Sequence, residues 1–150
     1  LTDGVRRLLY DSGFPGMKVI QFAFDSREES DYLPHNYEKN CVVYTGTHDN
    51  DTLCGWYKVL DPDDLKLSQK YMNNANTPKR QIHWDFIRLA LASVADLCII
   101  PLQDYLGLGS EARINTPSTL GNNWRWRMTQ GCLTKELADQ IRELTTLYGR

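Results

Sequence analysis

Three stretches of the chain are mostly apolar and partly β-branched, without a clean alternation of polar and apolar positions. They are Lys18-Val19-Ile20-Gln21-Phe22-Ala23-Phe24, Cys41-Val42-Val43-Tyr44-Thr45 and Leu97-Cys98-Ile99-Ile100-Pro101-Leu102. Runs of this kind predict strands buried on both faces, the habit of parallel sheets. The segments between them are long enough for helical crossovers. A short helix is expected near Thr2 to Tyr10, ending at Gly13. Asp61-Pro62-Asp63-Asp64 reads as an N-cap, a proline in the first turn and two carboxylates at the positive end of the helix dipole. From Arg80 to Ala95, Ile82, Phe86, Leu89 and Ser93 share one face, with Trp84, Ile87, Leu91 and Val94 beside them. A surface that broad should pack on a sheet. Thr134 caps a last helix that brings Leu137, Ile141, Leu144 and Tyr148 onto one side. The order of elements is a βα arrangement with parallel strands. Three strands are few for a closed α/β architecture.

Composition narrows the class. With 150 residues, 41% hydrophobic and 24% charged, the chain has enough apolar mass for one domain with a core, which excludes a disordered chain. A net charge of −2 argues against a nucleic-acid backbone as the main partner. No apolar run approaches the roughly 20 residues that span a bilayer, so no membrane partner is expected. The chain starts at Leu1 without a basic segment followed by an apolar one, so no export signal is visible. Such a start also fits a chain cut from something longer. Cys41, Cys54, Cys98 and Cys132 form no Cys-x-x-Cys pair, and reduced thiols in the cytoplasm are the expectation.

In parallel α/β proteins, functional residues gather on loops just past the C-terminal ends of strands. The second strand is followed by Gly46-Thr47-His48-Asp49-Asn50-Asp51-Thr52. Asn50 or Asp51 is expected to cap the helix carrying Leu53 and Trp56. Capping uses one of these polar residues, so the others point to a functional role. His48 and Asp49 could bind a divalent metal, as in a metal-dependent phosphohydrolase, with His35 and His83 the remaining imidazoles. His83 lies within an amphipathic helix, where a core or surface role is the competing reading. Sugar chemistry is the other option. A carboxylate stabilises the oxocarbenium-like state of glycosidic cleavage, while an imidazole holds a sugar hydroxyl. Past the third strand come Gln103-Asp104-Tyr105 and then Asn122-Asn123-Trp124-Arg125-Trp126-Arg127. Interleaved Trp and Arg suit single-stranded nucleic acid, but the overall acidity disfavours that reading. Indole faces also stack on pyranose rings, with Asn, Asp and Arg meeting the hydroxyls. The loop Asp31-Tyr32-Leu33-Pro34-His35-Asn36-Tyr37 is aromatic and polar in the same way.

Several long motifs are recognisable in order. Phe14-Pro15-Gly16-Met17-Lys18-Val19-Ile20-Gln21-Phe22-Ala23-Phe24, Tyr32-Leu33-Pro34-His35-Asn36-Tyr37 and Val43-Tyr44-Thr45-Gly46-Thr47-His48-Asp49-Asn50-Asp51-Thr52 closely resemble the 4-α-glucanotransferases. These are the amylomaltases or disproportionating enzymes of glycoside hydrolase family 77, in the α-amylase clan. The stretches from Pro101 to Gly109 and from Asn115 to Arg127 match the family's C-terminal portion, so nearly the whole chain is covered. Two positions depart from its pattern: Ser118, where the family usually has Gly after Asn-x-Pro, and Asn122, where Gly or Ser is common.

The resemblance implies part of a (β/α)8 barrel, namely its last three βα units and the closing C-terminal segment over residues 1–150. It implies a retaining enzyme that cleaves an α-1,4-glucan of starch or glycogen origin and moves the released segment to another glucan's 4-hydroxyl, with neither cofactor nor metal. By the motif, Asp49 matches the carboxylate that stabilises the transition state and His48 its sugar-hydroxyl partner. Phe22 matches an aromatic residue lining the cleaved bond, and Asn115 a further substrate contact. The family's nucleophile and acid/base lie upstream of the matched segment, and no Asp or Glu here matches either. The isolated chain is therefore expected to be inactive, and its open barrel edges to favour self-association. A non-catalytic glucan-binding role is the main alternative.

Overall fold

The computed structural model describes residues 2–150. Helix α1 (Asp3–Ser12) leads into strand β1 (Gly16–Val19), and β2 (Cys41–Tyr44) follows after a long connection. Then come α2 (Leu53–Lys58), α3 (Pro62–Met72), α4 (Ile82–Leu91), β3 (Leu97–Ile99), α5 (Leu102–Tyr105) and α6 (Lys135–Leu147). The three strands form one parallel sheet in sequence order, with Met17, Val42 and Leu97 side by side. The α/β class and the parallel pairing are as the sequence predicts.

The strands are shorter than the apolar runs. After Val19 the chain tightens into a 3-10 turn over Ile20–Phe22, although the Gln21 N–H still reaches the Thr45 carbonyl at 3.3 Å. β3 stops at Ile99, two residues before Pro101, which has no N–H to give a ladder. The first crossover is not helical either. Between β1 and β2 the second 3-10 turn covers only Pro34–Asn36, because that segment carries turn-forming residues and no helical apolar period.

Alternation along a strand sends neighbouring side chains to opposite faces. Cys41 and Val43 point to the helices and are buried, with half-buried Cys98 beside them. On the other face Met17, Leu97 and Ile99 remain 57%, 51% and 39% exposed. The expectation that the strands are buried on both faces is therefore corrected. The helices of this chain lie against one face, and the other is an open apolar floor.

The covered face is organised by Phe86. Its ring is fully buried and meets Trp56, Tyr57 and Phe24 edge-on, at centroid distances of 5.2, 5.8 and 5.9 Å. Edge-on pairs of this kind add to simple area burial. Helix α4 is narrower than the span 80–95. It is preceded by a 3-10 turn at Lys79–Gln81 and ends at Leu91, so Val94 is left exposed. His83 is buried in this helix, in a core role. Gly107 makes room for it: the backbone there has φ +63°, and a Cβ would come within 2.9 Å of the imidazole Cε1. Burial holds the His83 pKa below its ordinary value, so the ring is neutral at physiological pH.

The helix caps read from the sequence are present at Gly13, Asp61 and Thr134. Leu144 of α6 is buried, and Arg150 donates to the carbonyls of Leu91, Ser93 and Ala95 at 2.8 to 2.9 Å. That guanidinium fixes the end of α6 to the turn between α4 and β3. The four cysteines are free thiols, and burial pushes Cys98 up to about 11. Among the described residues, no helix is long and apolar enough to cross a membrane.

Candidate active site

The eight residues between β2 and α2 hold the densest polar cluster, and the structure divides the work among them. Asn50 Oδ1 accepts from the Thr47 N–H at 2.9 Å and the Thr47 hydroxyl at 2.8 Å, closing a tight turn. Asp51 accepts from its neighbour Thr52 N–H at 2.8 Å and from the Ser110 hydroxyl at 2.6 Å. The cap of α2 is Thr52, whose Oγ1 accepts from the Gly55 N–H at 3.1 Å. This corrects the expectation that Asn50 or Asp51 is the cap. The Asn50 carboxamide and the Asp51 carboxylate are both occupied elsewhere, and Thr is itself a good cap. Gly55 is needed there because a Cβ would collide with Ser110 Oγ and with Asp51.

His48 and Asp49 are the residues left over. Asp49 Oδ1 accepts from Asn115 Nδ2 at 2.6 Å and lies 3.3 Å from His48 Nε2. Among the described residues, Oδ2 of Asp49 has no partner. The Asp49 carbonyl accepts from Arg113 at 2.6 Å, while the same guanidinium donates to the Asn115 carbonyl at 2.9 Å. Arg113 therefore ties the backbones of the two residues together. Its role was not legible in the sequence, since a lone Arg in a loop carries no distinguishing spacing. The His48 ring faces Trp124 at 5.2 Å with the planes 34° apart. Trp124 is 58% exposed and adopts φ +63°, a left-handed conformation that is costly for a side chain of this size. Its N–H is held by the Ile114 carbonyl at 2.7 Å, and Asn123 Oδ1 accepts from Thr116 N–H at 2.9 Å. In the same loop Ser118 has φ +61°, which explains why glycine suits that position better.

The loop from Gly46 to Thr52 borders a cavity of about 600 Å3 whose floor is Met17, Tyr44 and Ile99, from the open face of the sheet. His48, Asp49 and Arg113 stand at its rim, beyond the C-terminal ends of the strands. Phe22 is not in its wall. The ring lies past the end of β1, half exposed and edge-on to Tyr32 at 5.6 Å. The loop after β1 packs on itself, with the Lys18 ammonium over the rings of Tyr32 and Tyr37. His35 pairs with the Tyr71 hydroxyl at 2.9 Å. Neither His35 nor His83 therefore approaches His48. Among the described residues no three His, Cys, Asp or Glu side chains come together as metal ligands.

The loop is anchored by a residue that sequence reasoning did not single out. Asp104, 2% exposed in α5, accepts from the Thr45 hydroxyl at 2.6 Å and from the Leu53 N–H at 2.8 Å. One carboxylate thus grips both ends of the loop that carries His48 and Asp49. Gln21 adds a third hold, donating to the Asp51 carbonyl at 2.7 Å. Burial raises the Asp104 pKa to about 6, against the opposing pull of its two hydrogen bonds.

A model of the glycoside hydrolase 77 family, described as 4-alpha-glucanotransferase, matches residues 1–134. The 4-alpha-glucanotransferase of Clostridium butyricum is 48% identical over 151 residues, covering all of this chain and 31% of the relative. A chloroplastic 4-alpha-glucanotransferase of Arabidopsis thaliana is 45% identical over all of this chain and 26% of its own length. Among solved structures, an amylomaltase from Streptococcus agalactiae in complex with acarbose superposes with a TM-score of 0.92 at 37% identity. The superposition covers all of this chain and 30% of that one. The chain thus spans less than a third of the length of these relatives.

The Asp104 clamp has a pH signature. Between pH 4 and 6 the folded chain takes up a proton at Asp104 that the unfolded chain does not, so this group's contribution to stability grows as pH falls. His83 acts oppositely, because below its ordinary value only the unfolded chain takes up the proton. Asp104→Asn removes the first effect and leaves the second. Its melting temperature should fall more steeply than wild type between pH 6 and 4, as followed by circular dichroism. Asp104→Ala leaves the Leu53 N–H buried without an acceptor and should cost about 1–3 kcal/mol at neutral pH.

Proposed function

The chain belongs to the 4-alpha-glucanotransferase family, and from that premise we propose that it forms the transition-state-stabilising part of a retaining glucan-transfer site. The observation that carries this reading is the Asp49 carboxylate, fixed by Asn115 through one oxygen on a half-exposed side chain. A carboxylate fixed before reaction stabilises positive charge as it develops on an anomeric carbon, without reorganising at that moment. His48, beside it, donates to a sugar hydroxyl. Trp124 and Phe22 offer apolar faces to pyranose rings. Asn115 acts first on Asp49, orienting its carboxyl group, and only secondarily on substrate.

The substrates in this reading are α-1,4-glucans and maltooligosaccharides. The family resemblance and the polar character of the cavity rim support them. Retaining transfer also needs a nucleophile and an acid/base, carboxyl groups roughly 5 Å apart across the bond. No Asp or Glu beside Asp49 matches either by motif. Alone, these 150 residues bind glucan and do not cleave it. The free thiols favour a reducing compartment. We extend the reading to the cytoplasm; the Arabidopsis relative is named chloroplastic/amyloplastic.

Titration with maltoheptaose should quench Trp124 fluorescence in a saturable way, and His48→Ala should weaken that response. A flat titration would refute the site. Incubation of the purified chain with maltotriose should give neither glucose nor longer oligosaccharides, and either product would overturn the proposed division of labour. In a longer chain that supplies both missing carboxylates, Asp49→Asn should lower kcat by about 100-fold or more, and near-wild-type turnover would disprove its role. The open floor of Met17, Leu97 and Ile99, flanked by unpaired strand edges, favours self-association. Light scattering should detect oligomers, and a monodisperse monomer would count against this.

A further inference from the structure

The segment from Asn115 to Trp124 carries a site residue at each end. Asn115 donates to Asp49 Oδ1 at 2.6 Å, and Trp124 faces the His48 ring at 5.2 Å. Between them residues 116–122 are all exposed, Leu120 completely, so no apolar core shapes the segment. A backbone bond closes its base, from the Trp124 N–H to the Ile114 carbonyl at 2.7 Å. Within it φ is positive at Ser118 (+61°), Gly121 (+113°) and Trp124 (+63°). Only glycine adopts that region without a Cβ clash, so Ser118 and Trp124 are held there at a cost. One exposed backbone bond contributes about as much as one such residue costs, and does not offset two.

The remaining hold comes from Asn123, which is half-buried among these exposed neighbours. Its Oδ1 accepts from the Thr116 N–H at 2.9 Å, and its Nδ2 donates to the Thr119 carbonyl at 3.2 Å and the Thr119 hydroxyl at 3.1 Å. That hydroxyl in turn donates to the Thr116 carbonyl at 2.6 Å. A carboxamide offers an acceptor and two donors on one short side chain, and all are used here. Thr116 is the neighbour of Asn115, and Asn123 is the neighbour of Trp124. We propose that Asn123 is a positioning residue for the site. By closing the segment on itself it holds Asn115 against Asp49 and Trp124 against His48, so that the two contacts are made or lost together. A segment ordered beforehand does not have to be ordered by the glucan, which lowers the cost of binding. That consequence for glucan rests on the proposed function; the positioning itself does not.

The test compares the isotope-labelled wild-type chain with Asn123→Ala and Thr119→Val by NMR, first without glucan. In the wild type, nuclear Overhauser contacts should join the Trp124 indole to the His48 ring, and the Asn115 side-chain amide should show a shift set by Asp49. Asn123→Ala should lose both signatures together, while the Trp84 indole N–H in α4 keeps its shift. Thr119→Val retains the bonds of Asn123 to the Thr116 N–H and the Thr119 carbonyl, so it should weaken both only in part. Retention of both signatures in Asn123→Ala, loss of one without the other, or their absence from the wild type would overturn the proposal. A Trp84 signal that moves with them would mark a general structural role and overturn it too. Calorimetry with maltoheptaose adds a double-mutant cycle. Asn123→Ala should weaken binding at least about tenfold. Its loss and that of His48→Ala should combine less than additively in the double variant, because both act through one contact. Additive losses would overturn the coupling. A wild-type chain that shows both contacts but binds no glucan would refute the proposed function and leave the positioning standing.

Discussion

The site depends on one buried carboxylate. Asp104 reaches from α5 to the last residue of the β2 run, Thr45, and to the first residue of α2, Leu53. That bridge fixes both ends of the seven intervening residues, while Gln21 and Arg113 hold the Asp51 and Asp49 carbonyls between them. A charged group in a nearly dry position is normally a liability, and the raised pKa registers that cost. Two strong donors offset it, because hydrogen bonds to an ionised acceptor are about twice as strong as neutral ones. The loop is thus held by a buried residue that bridges its two ends.

Once both ends are fixed, the inner residues sort by what they can reach. Asn50 closes on Thr47, Asp51 turns to Ser110 and Thr52 caps α2. Every polar side chain but two is consumed by the backbone's own needs. His48 and Asp49 remain, and the segment after β3 supplies their surroundings through Arg113, Asn115 and Trp124. Trp124 and Ser118 both carry positive φ there, so that segment stores strain that its hydrogen bonds must hold. Backbone strain beside an exposed carboxylate, a histidine and an indole is expected of a site built for binding rather than for maximal stability.

Much of this could be read from the residues alone, because it is local. The caps at Asp61 and Thr134, the parallel strands and the prominence of His48 and Asp49 follow from neighbours within a few positions. The family motifs added Phe22 and Asn115. Two kinds of information were out of reach. Asp104 bonds partners 59 and 51 positions away, and no periodicity encodes such a pair. The cap of α2 went to Thr52 rather than Asn50 or Asp51 because those two are drawn off, Asp51 by Ser110, 59 positions along the chain. Local propensity cannot see that competition.

The open face of the sheet follows from the same logic. A continuous apolar run says that both faces of a strand avoid water, but not what covers them. In this chain α4 covers the face of Cys41 and Val43, while Met17, Leu97 and Ile99 are left uncovered. Where further strands close such a sheet, the uncovered face becomes the packed interior of a barrel. The His48–Asp49 rim does not need that closure to form. Its hydrogen bonds come from β2, α5 and the segment after β3, all within these 150 residues. Binding geometry and barrel closure are therefore separable here. The polar rim is held by hydrogen bonds inside the segment, whereas the apolar floor beneath it is left uncovered by the segment's own helices.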